Sequence, residues 1–543
     1  MRHLLVLHAD FSRHPLGMAG SALAYGTMVG AACNLPSIWP LSLVALVGIA
    51  ALVAEGACTS KWRSTATVAL ATAGWHAAAT WWVVLTVHQG DQWVLLWQAI
   101  VVSAVVAAQV MWMVAAWLVL RALAVWHDRG KLSARSAAIA WWIAFAAGDE
   151  LRQMGWSGNP YGDLGIALID VPGVRALLPL VGSQGVAWAA MGLACAIAVV
   201  TRQSLSRARA ALAWSPVSAA TVGIALMTLG AASLAADGFE FTHVAELSPL
   251  DIVALQPTVI GRGRWSAPVR DKAMALLTRA IQQARPGSLI VTPESYLYEP
   301  PPAQPAGLWD ELLDQVDSAG VHVLLGMPFL LRGPDALLHL NAAVHLAPKR
   351  QSVYAKERPV PGGEYLPLHE LLGAFYTRAL DMPGPGEQAA PPELTAPLYV
   401  AGIDIGMSIC HELAFGQTMA QRSQDVGLLV NLSLEGWVPS AAFRRQMLSI
   451  SRARAMESGR SLLRVADNGG SMLIDPLGNI VAPTRRIGEL VMFDQVQPRE
   501  GHTPYQWVAR WMPLFPFALA VLMAVATLVR RSLASRLIRK SPT

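Results

Sequence analysis

Three side chains capable of covalent acyl chemistry stand at the ends of apolar, strand-like runs. Glu294 closes Leu289-Ile290-Val291-Thr292-Pro293-Glu294, Lys356 lies in Val353-Tyr354-Ala355-Lys356, and Cys410 follows the long run from Leu398 to Ile409. A carboxylate can take a thiol proton, the resulting thiolate can attack a carbonyl, and an ammonium can stabilise the oxyanion that forms. Taken one at a time, the same residues read as a surface Glu, a surface Lys and a core Cys. Their shared position at strand ends, where layered α/β folds gather their chemistry, is what joins them. Cys410 is also the only cysteine outside the long hydrophobic segments, which hold Cys33, Cys58 and Cys195. Its polar successors His411 and Glu412 offer surroundings able to polarise a thiol. Because an imidazole titrates near neutral pH, a protonated His411 would favour the thiolate; on a strand, however, its side chain would face away from Cys410. Four scattered cysteines give neither a disulfide framework nor a zinc signature, so no metal and no cofactor are expected.

The elements that must position these residues form an alternating series between about 240 and 505. Strands are expected at Asp251–Leu255, Ser288–Thr292, Val321–Met327, Ala342–Leu346, Leu398–Ile409 and Leu428–Leu432. Between them, Pro268–Arg285 carries a helical stripe of Ala273, Leu276, Leu277, Ala280 and Ile281, and Ser440–Ser458 places Phe443, Met447 and Ile450 on one face. Alternating strands and helices predict a layered α/β domain. Pro300–Pro305 and the Gly/Pro-rich 383–397 stretch read as surface loops.

The flanks of this region are different. Hydrophobic residues make up 54% of the 543-residue chain and charged residues only 14%, against about a quarter charged in soluble domains. Eight segments approach the roughly 20 apolar residues needed to cross a bilayer: about 16–35, 38–58, 64–87, 93–126, 134–148, 176–200, 216–236 and 511–530. The first is followed at once by another span, so it is expected to remain as an anchor rather than a cleaved signal. The expected organisation is a seven-span bundle over 1–239, a catalytic domain over 240–505, and a last span with a basic tail over 506–543.

The net charge of +5 does not point to nucleic acid, because the basic residues flank apolar segments. Arg2 and Arg13, Lys61 and Arg63, Arg129, Lys131 and Arg135, Arg202, Arg207 and Arg209, and the terminal Arg530 to Lys540 group all fall on one side of an even-span chain. Basic loops stay cytoplasmic, which puts the 240–505 domain on the outer face of the membrane. The loop from Gly148 to Arg175, with Asp149, Glu150, Arg152 and Asn159-Pro160-Tyr161-Gly162, reads either as a solvated connector or as an interfacial segment that admits lipid through Trp156 and Tyr161.

Three ordered motifs resemble those of the nitrilase (carbon-nitrogen hydrolase) superfamily: Thr292-Pro293-Glu294-Ser295, the stretch from Tyr354 through Lys356 to Glu364 and Pro367, and Ile409-Cys410-His411-Glu412. They look most like its membrane branch, the apolipoprotein N-acyltransferases. The likeness extends to Gln256, Trp265, Asn341, the Asn431-to-Trp437 segment, Arg452 to Arg464, Asn468-Gly469-Gly470 and Ile474 to Gly478. It implies a membrane α-helical bundle joined to an α-β-β-α sandwich. By the same resemblance Glu294 is general base, Lys356 oxyanion donor, Cys410 nucleophile, and Glu364 and Glu412 supporting carboxylates, with Trp265, Asn341, Trp437 and His411 toward the substrate. The implied partners are membrane lipid, a phospholipid acyl donor and a lipoprotein amine acceptor.

The sequence departs from the family around this triad. His411 replaces the usual tyrosine, Gly362-Gly363 precedes Glu364 in an altered loop, Gln256-Pro257-Thr258 stands for Gln-Gly-Asn, and Leu434 to Val438 and Gln446-Met447 replace other usual motifs. Such changes also fit a divergent relative of the kind encoded with plasmid conjugation systems, an acyltransferase or amidase with another acceptor.

Overall fold

The computed structural model describes residues 14–86, 94–125, 132–154, 158–206, 240–257, 266–333, 337–361, 363–366, 369–371, 373, 388–467, 470–483 and 490–538. The chain divides into two compact units, Met1–Phe239 with Arg510–Thr543, and Glu240–Ala509.

The first unit is helical: α1 Pro15–Asn34, α2 Trp39–Thr59, α3 Lys61–Thr80, α4 Val94–Val125, α5 Ala134–Gln153 and α6 Val174–Ser206, with the C-terminal helix Leu514–Ile538. Helix α6 is broken at Gly182, whose φ of 65° follows an internal Pro179, the usual pair of causes for a kink. Among the described residues five helices are long and apolar enough to cross a membrane, or six if Pro504–Trp511 and Leu514–Ala526 count as one. This is fewer than the eight expected, for two different reasons. The candidate at 216–236 lies outside the described residues. The 134–148 segment does form a helix, α5, but Arg135, Asp149, Glu150 and Arg152 share it, and it is not among the membrane-crossing ones.

The polar end of α5 is not a solvated connector. Asp149, Glu150 and Arg152 are all buried, and Arg152 pairs with Asp149 at 2.7 Å. The Arg152 guanidinium also donates to the carbonyls of Asn159 and Tyr161 at 2.8 and 3.1 Å, folding the following loop back on the helix. Tyr161 meets Trp82 edge-on inside this unit; Trp156 lies outside the described residues.

The second unit is built from two six-stranded sheets. One has the order β13-β2-β3-β4-β5-β6, the other β12-β11-β10-β9-β8-β7. Their strands are β2 Leu250–Gln256, β3 Leu289–Val291, β4 His322–Arg332, β5 Leu337–Ala347, β6 Arg350–Ala355, β7 Leu398–Val400, β8 Ile403–Ile409, β9 Leu428–Ser433, β10 Leu462–Ala466, β11 Met472–Ile474, β12 Ile480–Pro483 and β13 Leu490–Val496. β1 Thr242–Val244 pairs separately with β14 Arg499–Gly501. The sheets face each other across one apolar core to which Ile252, Val291 and Leu324 contribute from the first and Ile405, Val430 and Val465 from the second. Helices α7 Ala267–Gln283 and α8 Leu308–Ala319 cover the outer face of the first sheet, where Leu277, Ile281, Leu312 and Val316 meet Val253, Ile290 and Val323. Helix α9, Ala441–Ser458, buries Phe443, Met447 and Ile450 and packs on β10 and β11.

The run Leu398–Ile409 is not one strand. It is a hairpin in which Val400 pairs with Ile403, and the two residues between, Ala401 and Gly402, have φ of 48° and 88°. Positive φ at both central positions is the type I′ geometry whose twist suits a two-residue hairpin. Apolar character runs through both strands, which is why the turn was invisible as a break in hydrophobicity.

One glycine decides where the site forms. A Cβ on Gly326 in β4 would lie 2.1 Å from the Pro293 carbonyl oxygen and 2.8 Å from Glu294 Cα, so the backbone carrying Glu294 crosses β4 at a distance only glycine permits. Gly326→Ala is therefore expected to displace Glu294, lowering stability by about 1–3 kcal/mol together with turnover. A thermal melt and an activity assay on the purified protein check both, and an unchanged melt would contradict this packing.

Candidate active site

The parallel strands β3 and β8, one in each sheet, deliver Glu294 and Cys410 just beyond their C-terminal ends, and β6 ends one residue before Lys356. All three side chains are buried, Lys356 completely. The Lys356 ammonium donates to Glu294 Oε1 at 2.9 Å and to Glu364 Oε1 at 2.5 Å. Glu294 is saturated: Oε1 also accepts from the Asn341 amide at 2.7 Å, and Oε2 accepts from the Leu434 backbone N–H at 2.8 Å. Glu364 is held through its other oxygen by the Val360 N–H at 2.7 Å.

Cys410 has φ of 52° and Ser295, directly after Glu294, has φ of 51°. Left-handed backbone at non-glycine residues costs of order 1–3 kcal/mol and concentrates at functional sites. The turn Cys410–Ala414 that begins here is a single 3₁₀ turn, and Glu412 pins it. Its carboxylate accepts from Tyr354 Oη and Ile409 N at 2.8 Å each, from Glu357 N at 2.8 Å, and from Arg422 at 3.2 Å. Burial opposes that charge, but Arg422 and these donors outweigh it and hold the Glu412 carboxyl below the usual range. The Asn431 amide donates to the Cys410 carbonyl at 3.3 Å and to Ser408 Oγ at 3.0 Å, tying the start of this turn to β9.

Electrostatics set the resting state. Burial would lower the Lys356 pKa, yet Glu294, Glu364 and Cys410 together hold it well above its ordinary value, so Lys356 is charged. Burial, with help from Glu294, raises the Glu364 carboxyl against the opposing pull of Lys356. Cys410 is pushed up to about 12, first by burial and then by Glu294, with Lys356 opposing. Its proton is therefore retained at neutral pH, and the thiolate must be generated by proton transfer rather than stored. The charges of Glu294 and Glu364 add to the larger effect of burial in raising the thiol, against the pull of Lys356.

The sequence-derived assignments divide as follows. Glu294, Lys356, Cys410 and Glu364 form one cluster, and Glu412 acts through the backbone of the Cys410 turn. Asn341, placed toward the substrate from sequence, holds Glu294 instead, though its Oδ1 has no hydrogen-bond partner. Trp437 donates to the Leu434 carbonyl at 2.8 Å and stands against the Glu364 loop, 3.5 Å from where a Cβ on Gly363 would lie. Trp265, Asn468 and Gly469 lie outside the described residues. His411 is corrected on two counts. It sits in a turn rather than on a strand, packed edge-on to Phe415, and burial together with Lys356 and Arg358 lowers its pKa to about 3, so it is a neutral imidazole at physiological pH. Sequence reasoning missed the contacts of Tyr354 and Arg422 with Glu412, for which no local pattern gave a signal. Among the described residues no group of three or more His, Cys, Asp or Glu is placed to hold a metal, and all four cysteines are free.

These geometries give an alkylation signature. From about pH 5 to 8 the rate of Cys410 labelling by a thiol alkylator is expected to climb steadily with pH and without an inflection, and His411→Tyr should leave the curve's shape unchanged. A break near pH 6.5 that disappears in His411→Tyr would show that the imidazole titrates beside the thiol after all.

The sequence model of the family described as "Carbon-nitrogen hydrolase" matches residues 256–502, and that of the "Apolipoprotein N-acyltransferase N-terminal domain" matches residues 25–196. The chain is 29% identical to an apolipoprotein N-acyltransferase of Ralstonia nicotianae, covering 91% of this chain and 90% of the relative. It is 28% identical to one of Azotobacter vinelandii over 94% of both chains, and 28% identical to one of Chromobacterium violaceum over 68% and 69%.

Proposed function

We propose, from the premise that the chain belongs to the apolipoprotein N-acyltransferase branch of the carbon-nitrogen hydrolase superfamily, that it is a multi-pass membrane enzyme transferring an acyl chain from phospholipid to the N-terminal amine of a lipoprotein. The observation that carries the reading is the buried Lys356 bridge between Glu294 and Glu364, whose charges act directly on the Cys410 thiol. Glu294 takes the thiol proton as sulfur attacks the ester carbonyl, and the Lys356 ammonium stabilises the tetrahedral oxyanion. The ester C–O bond then breaks, and the proton passes from Glu294 to the departing glycerol oxygen, leaving a lysophospholipid and a Cys410 thioester. In the second half, the neutral α-amine attacks the thioester carbonyl and gives a proton to Glu294. The C–S bond breaks and that proton returns to sulfur. Glu364 and Asn341 position Lys356 and Glu294, and Glu412 positions Cys410.

The name carried by relatives that span most of this chain favours a lipoprotein over the acceptor of a conjugation-associated relative. The basic clusters, taken as cytoplasmic, favour a catalytic unit on the periplasmic face of the inner membrane. Reporter fusions after Pro249 and after Lys540 are expected to signal outside and inside respectively; the reverse pair would overturn this orientation.

Cys410→Ala should abolish turnover, while Glu294→Gln and Lys356→Ala should each lower it on the order of 10²–10⁴. Incubated with phospholipid alone, the wild type is expected to gain the mass of one acyl chain on the Cys410 peptide. Mass spectrometry of lipoprotein N-termini from a strain relying on this protein should show N-acylated cysteine. Free N-termini beside a normally acylated Cys410 would retain the thioester but remove the lipoprotein as acceptor.

A further inference from the structure

Apart from the catalytic unit, the helical unit carries an apolar groove of about 530 Å³ between α3 and α4. Trp62, Ala66 and Ala69 line it from α3, and Ala107, Val110 and Val114 from α4. Each set recurs at three- and four-residue intervals, so each is one helix face. Seven residues of α-helix rise roughly 10 Å, well within the ~15 Å of one leaflet's hydrocarbon. Small residues along both walls leave the space open, and almost nothing polar lines it.

One end of the groove is cationic. Lys61 and Arg63 open α3, with the Lys61 ammonium 4.8 Å from the Trp62 ring centre. The two helices follow one another in sequence, and the groove pairs the start of α3 with the later part of α4. The next basic residue on α4, Arg121, lies seven residues beyond Val114, within about 20° of the same face. It is buried and its Nε has no hydrogen-bond partner. Among the described residues neither Lys61, Arg63 nor Arg121 has a carboxylate partner. The positive end of the α3 dipole adds to the same field. A groove too apolar for anything but hydrocarbon, ending in uncompensated cations, matches one kind of occupant: a molecule with a long chain and an anionic head.

We propose that the groove between α3 and α4 binds an anionic phospholipid, its acyl chain against Ala66, Ala69, Ala107 and Val110 and its phosphate at Lys61 and the start of α3. No groove residue belongs to the Glu240–Ala509 unit that holds Cys410, and the inference does not depend on the acceptor proposed above. With the basic clusters in the cytoplasm, it is an inner-leaflet lipid.

Native mass spectrometry of the full-length protein, titrated with phosphatidylglycerol or with phosphatidylcholine of the same chains, tests this. One phosphatidylglycerol is expected to be retained preferentially. Lys61→Ala should weaken it roughly fivefold, the effect of one basic residue near a membrane surface. Ala66→Trp, at an exposed position, fills the groove and should remove the preference while circular dichroism stays unchanged. Equal retention of the two lipids, or the same affinity in both variants, overturns the proposal. Displacement of phosphatidylglycerol by glycerol 3-phosphate at equal concentration would also overturn it, since the chain would then contribute nothing.

Discussion

The active unit depends on a lysine ammonium removed entirely from water. Stripping an ion of solvent costs several kcal/mol even after relaxation, and the cost is recovered only where counter-charges sit at hydrogen-bond distance with their remaining lone pairs satisfied. Lys356 meets that demand through Glu294 and Glu364, at 2.9 and 2.5 Å, and both carboxylates are in turn held by Asn341, Leu434 N–H and Val360 N–H. The bridge therefore joins the end of β3, the end of β6, the loop at Glu364 and the segment after β9. Each segment is placed by its own sheet, and the ammonium fixes their spacing.

Two further buried ion clusters repeat the device around it. Glu412, Arg422 and Tyr354 lock the turn that holds Cys410 in left-handed backbone. Arg464 pairs with Glu435, while Asp467 accepts from the N–H groups of Glu435 and Gly436 at 2.6 and 3.0 Å. This second cluster fixes the loop whose Leu434 N–H reaches Glu294. Replacing such pairs with apolar side chains is frequently neutral or better for stability, so their placement on three loops surrounding one thiol is better explained by positioning than by folding energy. A nucleophile on strained backbone needs surroundings that leave it no alternative geometry.

What could be read from the sequence follows from what local patterns encode. β2, β3 and β9 announced themselves as short apolar runs, and the stripes of α7 and α9 are the faces they bury. Glu294, Lys356 and Cys410 were visible because polar residues capping apolar runs break a pattern. The hairpin at Ala401-Gly402 was hidden because both of its strands are apolar. Arg422 and Tyr354 were hidden for another reason: their importance lies in meeting Glu412 across the fold, and no spacing along the chain records that. From sequence His411 reads as a strand residue facing away from Cys410; it packs on Phe415 instead from a turn, which the apolar run before it could not reveal. At the end of α5 the sequence left a solvated connector and an interfacial segment both open, and the charges are folded into a buried pair.

The altered neighbourhood of the triad also takes on a physical meaning. A neutral imidazole beside the nucleophile adds no charge to the cluster, so it leaves the proton balance among Glu294, Lys356, Glu364 and Cys410 to those four groups. What it changes is shape and hydrogen bonding: His411 Nδ1 is buried without a partner, as is Arg358 Nε, and Arg358 stacks on the far partner of the imidazole, Phe415, at 4.4 Å. Unmet polar atoms in a buried wall cost free energy unless a bound group completes them. A neutral imidazole in place of the usual tyrosine thus leaves the charge of the Glu294–Lys356–Glu364 cluster unchanged.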